Sequence, residues 1–202
     1  MDWDTLADDK TLEKTAKALA ERGFGVIIVK DRNDAKAKLF ELLPIGSEIL
    51  ENSSTTLDEI GVGEELGKGG RYVSIRKKIT SINDKGERDK ARRASATCDY
   101  AIGSVQAITQ DGEVLVASQS GSNIAPYAFC AKNVVWVAGT NKIVKDRDKG
   151  IRRLYEHCLV LENERAKRVY GFPSSLNKML ILEKEPNPGR IKLILVKEKL
   201  GF

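Results

Sequence analysis

The spacing of apolar residues changes several times along this chain, and each change predicts an element. In "TLEKTAKALAER" (11–22), Leu12, Ala16, Leu19 and Ala20 share one helical stripe, and Gly23 follows as a stop. "FGVIIV" (24–29) is then a continuous apolar run, the pattern of a strand covered on both faces. Asp34 is placed to cap a second helix with Leu39, Leu42 and Leu43 on its stripe, and Pro44 ends it. "SEILE" (47–51) predicts a second strand, followed by the polar knot "NSSTT" and a helix start at Leu57. Residues 67–86 carry weak signals, with "GKGG" as a loop and "RYVSI" as extended chain, and a charged helix is predicted over about 86–97.

The second half is clearer. "YAIGSV" (100–105) predicts a strand, and "QAITQDGEVLVAS" (106–118) a hairpin about Asp111-Gly112, a dipeptide suited to a type I′ turn. "VVWVAG" (134–139) is the strongest buried-strand pattern in the chain. A helix follows with Ile151, Leu154, Tyr155 and Cys158 at i, i+3, i+4 and i+7. "RIKLILVKE" (190–198), set off by "PNPG" (186–189), predicts the last strand. Strands alternating with helices, most of them continuously apolar, predict an α/β fold: a mainly parallel sheet with flanking helices and one antiparallel hairpin. A length of 202 residues without a low-complexity linker predicts one domain, residues 1–202.

Composition narrows the function classes. With 41% hydrophobic and 31% charged residues, and no apolar run long enough to span a bilayer, the chain is expected to be cytoplasmic and to have no membrane partner. The net charge of +5 does not argue for nucleic acid. Its cations are interleaved with anions, as in "DKGERDKARR" (84–93), and no aromatic residues are spaced among them for base stacking. Cys98, Cys130 and Cys158 are far apart and the only histidine is His157, so no metal site is expected. His157 and Cys158 are helix neighbours and point apart.

Three polar knots follow predicted strands, where open parallel sheets collect ligands. The first comprises Asn52, Ser53, Ser54, Thr55, Thr56 and Glu59; its hydroxyls suit an anion, while Thr56 with Glu59 also fits a capping box. The second comprises Ser120, Gly121, Ser122 and Asn123, small residues that leave backbone amides open. Gly103 and Ser104, at the end of strand 100–105, belong with this set. The third comprises Thr140, Asn141 and Lys142, with Lys142 expected as an exposed cation facing the ligand. The expected partner is a small anionic metabolite.

"NSSTTLDEIG", "DYAIGSVQAITQDGEVLVAS", "SGSNIAPYA", "VVWVAGTNKIVKDRDKGIRRL" and "GRIKLILVKEKLGF" resemble, in order, the LUD domain of LutC/YkgG-type lactate utilization proteins. The likeness runs from about residue 10 to 202. It implies a fold similar to the ribose-5-phosphate isomerase, glucosamine-phosphate deaminase and CoA-transferase group, in which Ser53 to Thr56 occupy a phosphate-holding place. It also implies a role beside iron–sulfur subunits in oxidising L-lactate to pyruvate. Many relatives carry a cysteine-rich segment before the final strand; here "VYGFPSSLNKMLILEKEPNPG" (169–189) has none, so the cluster is expected on a partner subunit and no cofactor on this chain. The alternative is a stand-alone enzyme on a phosphorylated or CoA-linked substrate, with Glu59 or Glu113 as the carboxylate that CoA transfer requires.

Overall fold

The computed structural model describes residues 2–202. Helix α1 (Asp9–Glu21) leads into β1 (Gly25–Val29), α2 (Arg32–Glu41) and β2 (Glu48–Glu51). Two short helices, α3 (Thr55–Glu59) and α4 (Val62–Gly67), precede β3 (Val73–Ser74), α5 (Ile75–Thr80) and α6 (Lys85–Ala94). Then come β4 (Tyr100–Gly103), β5 (Ala107–Thr109), β6 (Val114–Ser118) and, after a π-helical turn Pro126–Cys130, β7 (Asn133–Gly139). A 3₁₀ turn Thr140–Lys142 joins β7 to β8 (Ile143–Val144). Helix α7 (Arg147–Arg153) passes through a π-helical turn, Leu154–Cys158, into α8 (Leu159–Tyr170), and β9 (Lys178–Leu182) and β10 (Ile191–Val196) complete the chain.

Six strands form one all-parallel sheet in the order β1-β10-β7-β4-β2-β3. Its centre explains the continuous apolar runs. Val134, Trp136 and Ala138 of β7 enter one core, with Leu12, Leu19 and Phe24, while Val135 and Val137 enter the other, with Ala35, Leu39 and Leu57. Period-two alternation therefore buries Val134 to Ala138 on both faces of the strand, because helices cover both. Strand β10 is used the same way, with Leu193 and Leu195 on the first face and Ile194 and Val196 on the second.

The structure departs from the sequence expectations in several places. Strand β1 lies at an edge, and Ile28 is 41% exposed, because its outer side has no neighbouring strand. Ala20 of α1 is exposed, and Thr15 takes the buried position by returning its hydroxyl to Thr11 O (2.8 Å). The antiparallel hairpin forms as expected, beside the parallel sheet, but not with the expected turn. Strands β5 and β6 sit in a second, mixed sheet in the order β8-β5-β6-β9. Its turn is not type I′, since among the described residues only glycines have positive φ and type I′ requires two such residues. Gly112 N donates to Thr109 O (2.9 Å), Thr109 N donates to Glu113 O (2.9 Å), and Gly112 has φ +86°. That is a three-residue loop with a glycine bulge, and a Cβ on Gly112 would stand 2.7 Å from the Ala18 carbonyl carbon of α1.

The helix predicted after β7 has one surplus residue in its turn at 154–158. Leu154 and Cys158 stay buried while Tyr155, assigned to the same stripe at regular helical period, turns out to solvent. The hairpin sheet packs on this segment through Ala107, Leu115, Val144 and Leu154. The polar residues between the two sheets gather there.

Candidate functional site

Strand β2 ends at Glu51 and the chain enters α3 through Ser54, which has extended backbone (φ −157°, ψ 118°) and accepts from Leu57 N at 3.3 Å. The cap is therefore Ser54, and the capping box expected of Thr56 and Glu59 does not form: both lie inside the helix, past the one extended residue that a cap requires. Their side chains hold the C-terminal segment instead. Thr56 Oγ1 donates to Leu200 O (3.4 Å), and Glu59 Oε2 accepts from Gly201 N (2.8 Å).

Strand β7 runs directly into the turn Thr140–Lys142, whose residues are all buried. Asn141 accepts from Leu200 N (3.3 Å) and donates to Gly201 O (3.4 Å), so it too anchors that segment. Lys142 contradicts the expectation of an exposed cation. It is 2% exposed, with Nζ donating to Thr56 Oγ1 (2.9 Å) and Ser104 Oγ (3.0 Å). The reason is tertiary: residues 200–202 return over β7 and close above the lysine.

The second knot follows β6 of the hairpin sheet, so the three knots do not share one sheet edge. They nevertheless converge. A cavity of about 270 Å³ is lined by Asn52, Ser53, Ser54, Thr55 and Thr56 from the first knot. Ser104 and Lys142 line it too, as do Ser120, Ser122 and Asn123. Five of the expected residues stand apart from it: Glu59, Gly103, Gly121, Thr140 and Asn141. Gly103 matters through its missing side chain, because a Cβ there would overlap the Tyr127 hydroxyl, and Tyr127 lines the cavity. Gly121 (φ +89°) shapes the loop, and Ser118 Oγ accepts from its amide at 2.9 Å.

The electrostatics of the inner wall are unusual. Burial, reinforced by the nearby Arg153 charge and opposed by Cys158 and Glu59, pulls Lys142 down to about 7. Arg153 is fully buried and donates to Gln106 O (2.6 Å), Cys158 Sγ (3.0 Å) and Trp3 O (3.5 Å). Two basic side chains thus lie inside the protein, and among the described residues no carboxylate pairs with either. Burial also raises the Cys158 thiol, against the opposing pull of Arg153 and Lys142. His157 Nε2 stands 3.4 Å from Asp4 Oδ1.

The outer wall is compensated. Glu162 and Arg165 pair through two hydrogen bonds of 2.7 Å each, and both line the cavity. At the serine loop, exposed Arg92 donates to Ser120 Oγ (3.3 Å) and Ser122 Oγ (3.2 Å), and Lys178 donates to Ser120 O (2.8 Å). Asn123 Oδ1 is shielded from solvent and has no hydrogen-bond partner.

Sequence reasoning missed Arg153, Cys158, Gln106, Tyr127 and the segment 200–202. A signal existed for Arg153: Gly150, Arg153, Leu154 and Cys158 are the buried positions of that helix, so Arg153 follows the apolar phase and Arg152 does not. Nothing local marked the C-terminal segment.

Comparison with solved structures supports the architecture. A DUF162 family protein from Deinococcus radiodurans superposes with a TM-score of 0.57 at 12% identity, over 95% of this chain and 99% of that one. At that identity the likeness speaks to fold alone. eIF2B beta from Chaetomium thermophilum matches with a TM-score of 0.36 at 16% identity, over 60% of this chain and 42% of that one, too weak to carry an argument. Among curated proteins nothing matches. The family model of the LUD domain matches residues 12–196, nearly the whole chain. The chain belongs to the LUD domain family, and that membership supports a lactate-utilization-related role at the level of the family.

Proposed function

We propose that the chain binds a small anionic metabolite in the cavity between its two sheets, as a non-redox subunit or accessory protein in the oxidation of L-lactate to pyruvate. One observation carries the reading: Lys142, which lines a cavity rich in hydroxyls and amides, is buried without a carboxylate partner, as is Arg153 near it. Burying a charge without a partner is costly. A carboxylate entering the cavity offsets that cost and finds hydroxyl donors already in place. A cavity of about 270 Å³ suits a small organic acid and is far too small to enclose coenzyme A.

The redox centre belongs to a partner in this reading. Among the described residues no group of three or more His, Cys, Asp and Glu side chains gathers as a ligand cluster, and an iron–sulfur cluster requires several thiolates. The test is a thermal-shift and calorimetric comparison of L-lactate, pyruvate, sugar phosphates and CoA esters. A small carboxylate at a hundredfold excess over its dissociation constant should add about 2.7 kcal/mol of stability. A response to CoA esters alone would favour a stand-alone enzyme on a CoA-linked substrate.

A further inference from the structure

We propose that Lys142 is a covalent nucleophile, whose amine condenses with the carbonyl of a small 2-oxo acid held in the cavity. The inference rests on the anion-binding reading above and goes further, because it names the substrate class and the reacting atom. It begins with the hydrogen bonds around Nζ. Ser104 Oγ donates its only proton to Val137 O (2.6 Å), and Thr56 Oγ1 donates its own to Leu200 O (3.4 Å). Both hydroxyls can therefore only accept from Lys142, at 3.0 and 2.9 Å. A neutral amine has two N–H groups and one lone pair. With both N–H groups engaged by these acceptors, and neither hydroxyl left with a proton to give, the lone pair remains free in the cavity that Lys142 lines.

The charges around the amine favour that neutral form. Burial and Arg153 hold Lys142 at about 7, while Glu59 and the Cys158 thiol pull the other way. A large share of the side chain is then free amine at neutral pH, whereas a solvent-exposed lysine near 10.4 holds under ~0.1%. The buried charge of Arg153 remains, and it favours a substrate with a carboxylate next to its carbonyl.

The step balances without an oxidant or a metal. The amine lone pair attacks the carbonyl carbon and the C–N bond forms, while the carbonyl π pair becomes an alkoxide that takes up the first amine hydrogen. The resulting carbinolamine loses its oxygen as water together with the second amine hydrogen, leaving C=N. The Thr56 and Ser104 oxygens stand at hydrogen-bond distance from the nitrogen that gives up both hydrogens.

The experiment is reductive trapping of the full chain with pyruvate and cyanoborohydride, followed by peptide mapping. Calorimetry with pyruvate and with L-lactate, which has no carbonyl, runs beside it. The expected result is label on the Lys142 peptide exceeding any other lysine peptide by roughly tenfold or more at neutral pH, with a rate half-maximal near pH 7. Lys142→Arg should retain a cation and lose the label. Binding of either acid with label spread evenly over surface lysines overturns the covalent step and leaves anion binding intact. Binding of neither acid removes the anion-binding reading, and the covalent step with it. Mapping the unaltered protein decides the matter even where the variant folds poorly.

Discussion

Two polar stretches of this chain look alike on paper and have opposite fates. The serine loop at 118–123 remains at the surface, where Arg92 and Lys178 bond to its hydroxyls and carbonyls from solvent-exposed positions. The turn at 140–142 lies wholly inside, and its lysine meets two hydroxyls and no carboxylate. The difference is the environment: around the loop, water screens the charges, while around the turn the protein must supply the solvation itself. The loop forms one wall of the cavity, and the turn supplies its charge.

The largest expected effect breaks that contrast by removing the buried charge. The unfolded chain holds Lys142 protonated up to its ordinary 10.5, and the folded chain only up to about 7. Between those values the unfolded state binds the extra proton, so stability rises with pH across the window; below pH 7 the whole burial penalty acts. Lys142→Met should therefore be more stable than the parent at pH 6 by about 2–4 kcal/mol, after subtracting the lost hydrogen bonds, and the gap should close toward pH 10.5. Urea unfolding at a series of pH values checks both size and sign. A variant of equal stability throughout would mean the lysine is solvated like the loop cations.

The same substitution should weaken binding of L-lactate or pyruvate by about 1.5–3 kcal/mol, the range for hydrogen bonds to charged groups, as read by calorimetry. A smaller change is expected from Gly121→Val. With φ +89°, and a new Cβ 2.9 Å from Lys178 Cδ, it should cost about 1–2 kcal/mol of stability by thermal melting, most of it from the backbone because Lys178 can move aside. Least of all, Arg92→Ala should change stability and affinity by less than ~0.5 kcal/mol, and raised salt should erase the change. An effect of Arg92→Ala as large as that of Lys142→Met would place the anion at the loop.

The central strands were legible because both faces of β7 and β10 are covered, leaving an uninterrupted apolar run at 134–139 and a run at 191–196 broken only by Lys192. The hairpin was legible from Asp111-Gly112, although not its turn type, which depends on one φ angle and on how closely α1 approaches Gly112. Helix α5 was missed because six residues with Ile75 and Ile79 make too short a pattern to distinguish from extended chain. The π-helical turn at 154–158 left no periodic signal, and so Tyr155 was assigned to the wrong face.

For the candidate site, sequence alone named ten of the residues that now line one cavity, since hydroxyl-rich turns after strands are visible locally. The burial of Lys142 was not visible, because what covers it lies some sixty residues further along, at Leu200 and Gly201. Glu59 and Asn141 read as ligand groups for the same reason; their partners are backbone atoms of that distant segment.

The most direct test is an NMR titration of the Lys142 side chain, assigned by comparison with Lys142→Arg, with and without saturating L-lactate. The account predicts a midpoint near 7 in the free protein and an upward shift when the carboxylate binds, because a bound anion favours the ammonium form. A midpoint near the ordinary lysine value of about 10.4, unmoved by lactate, would contradict it.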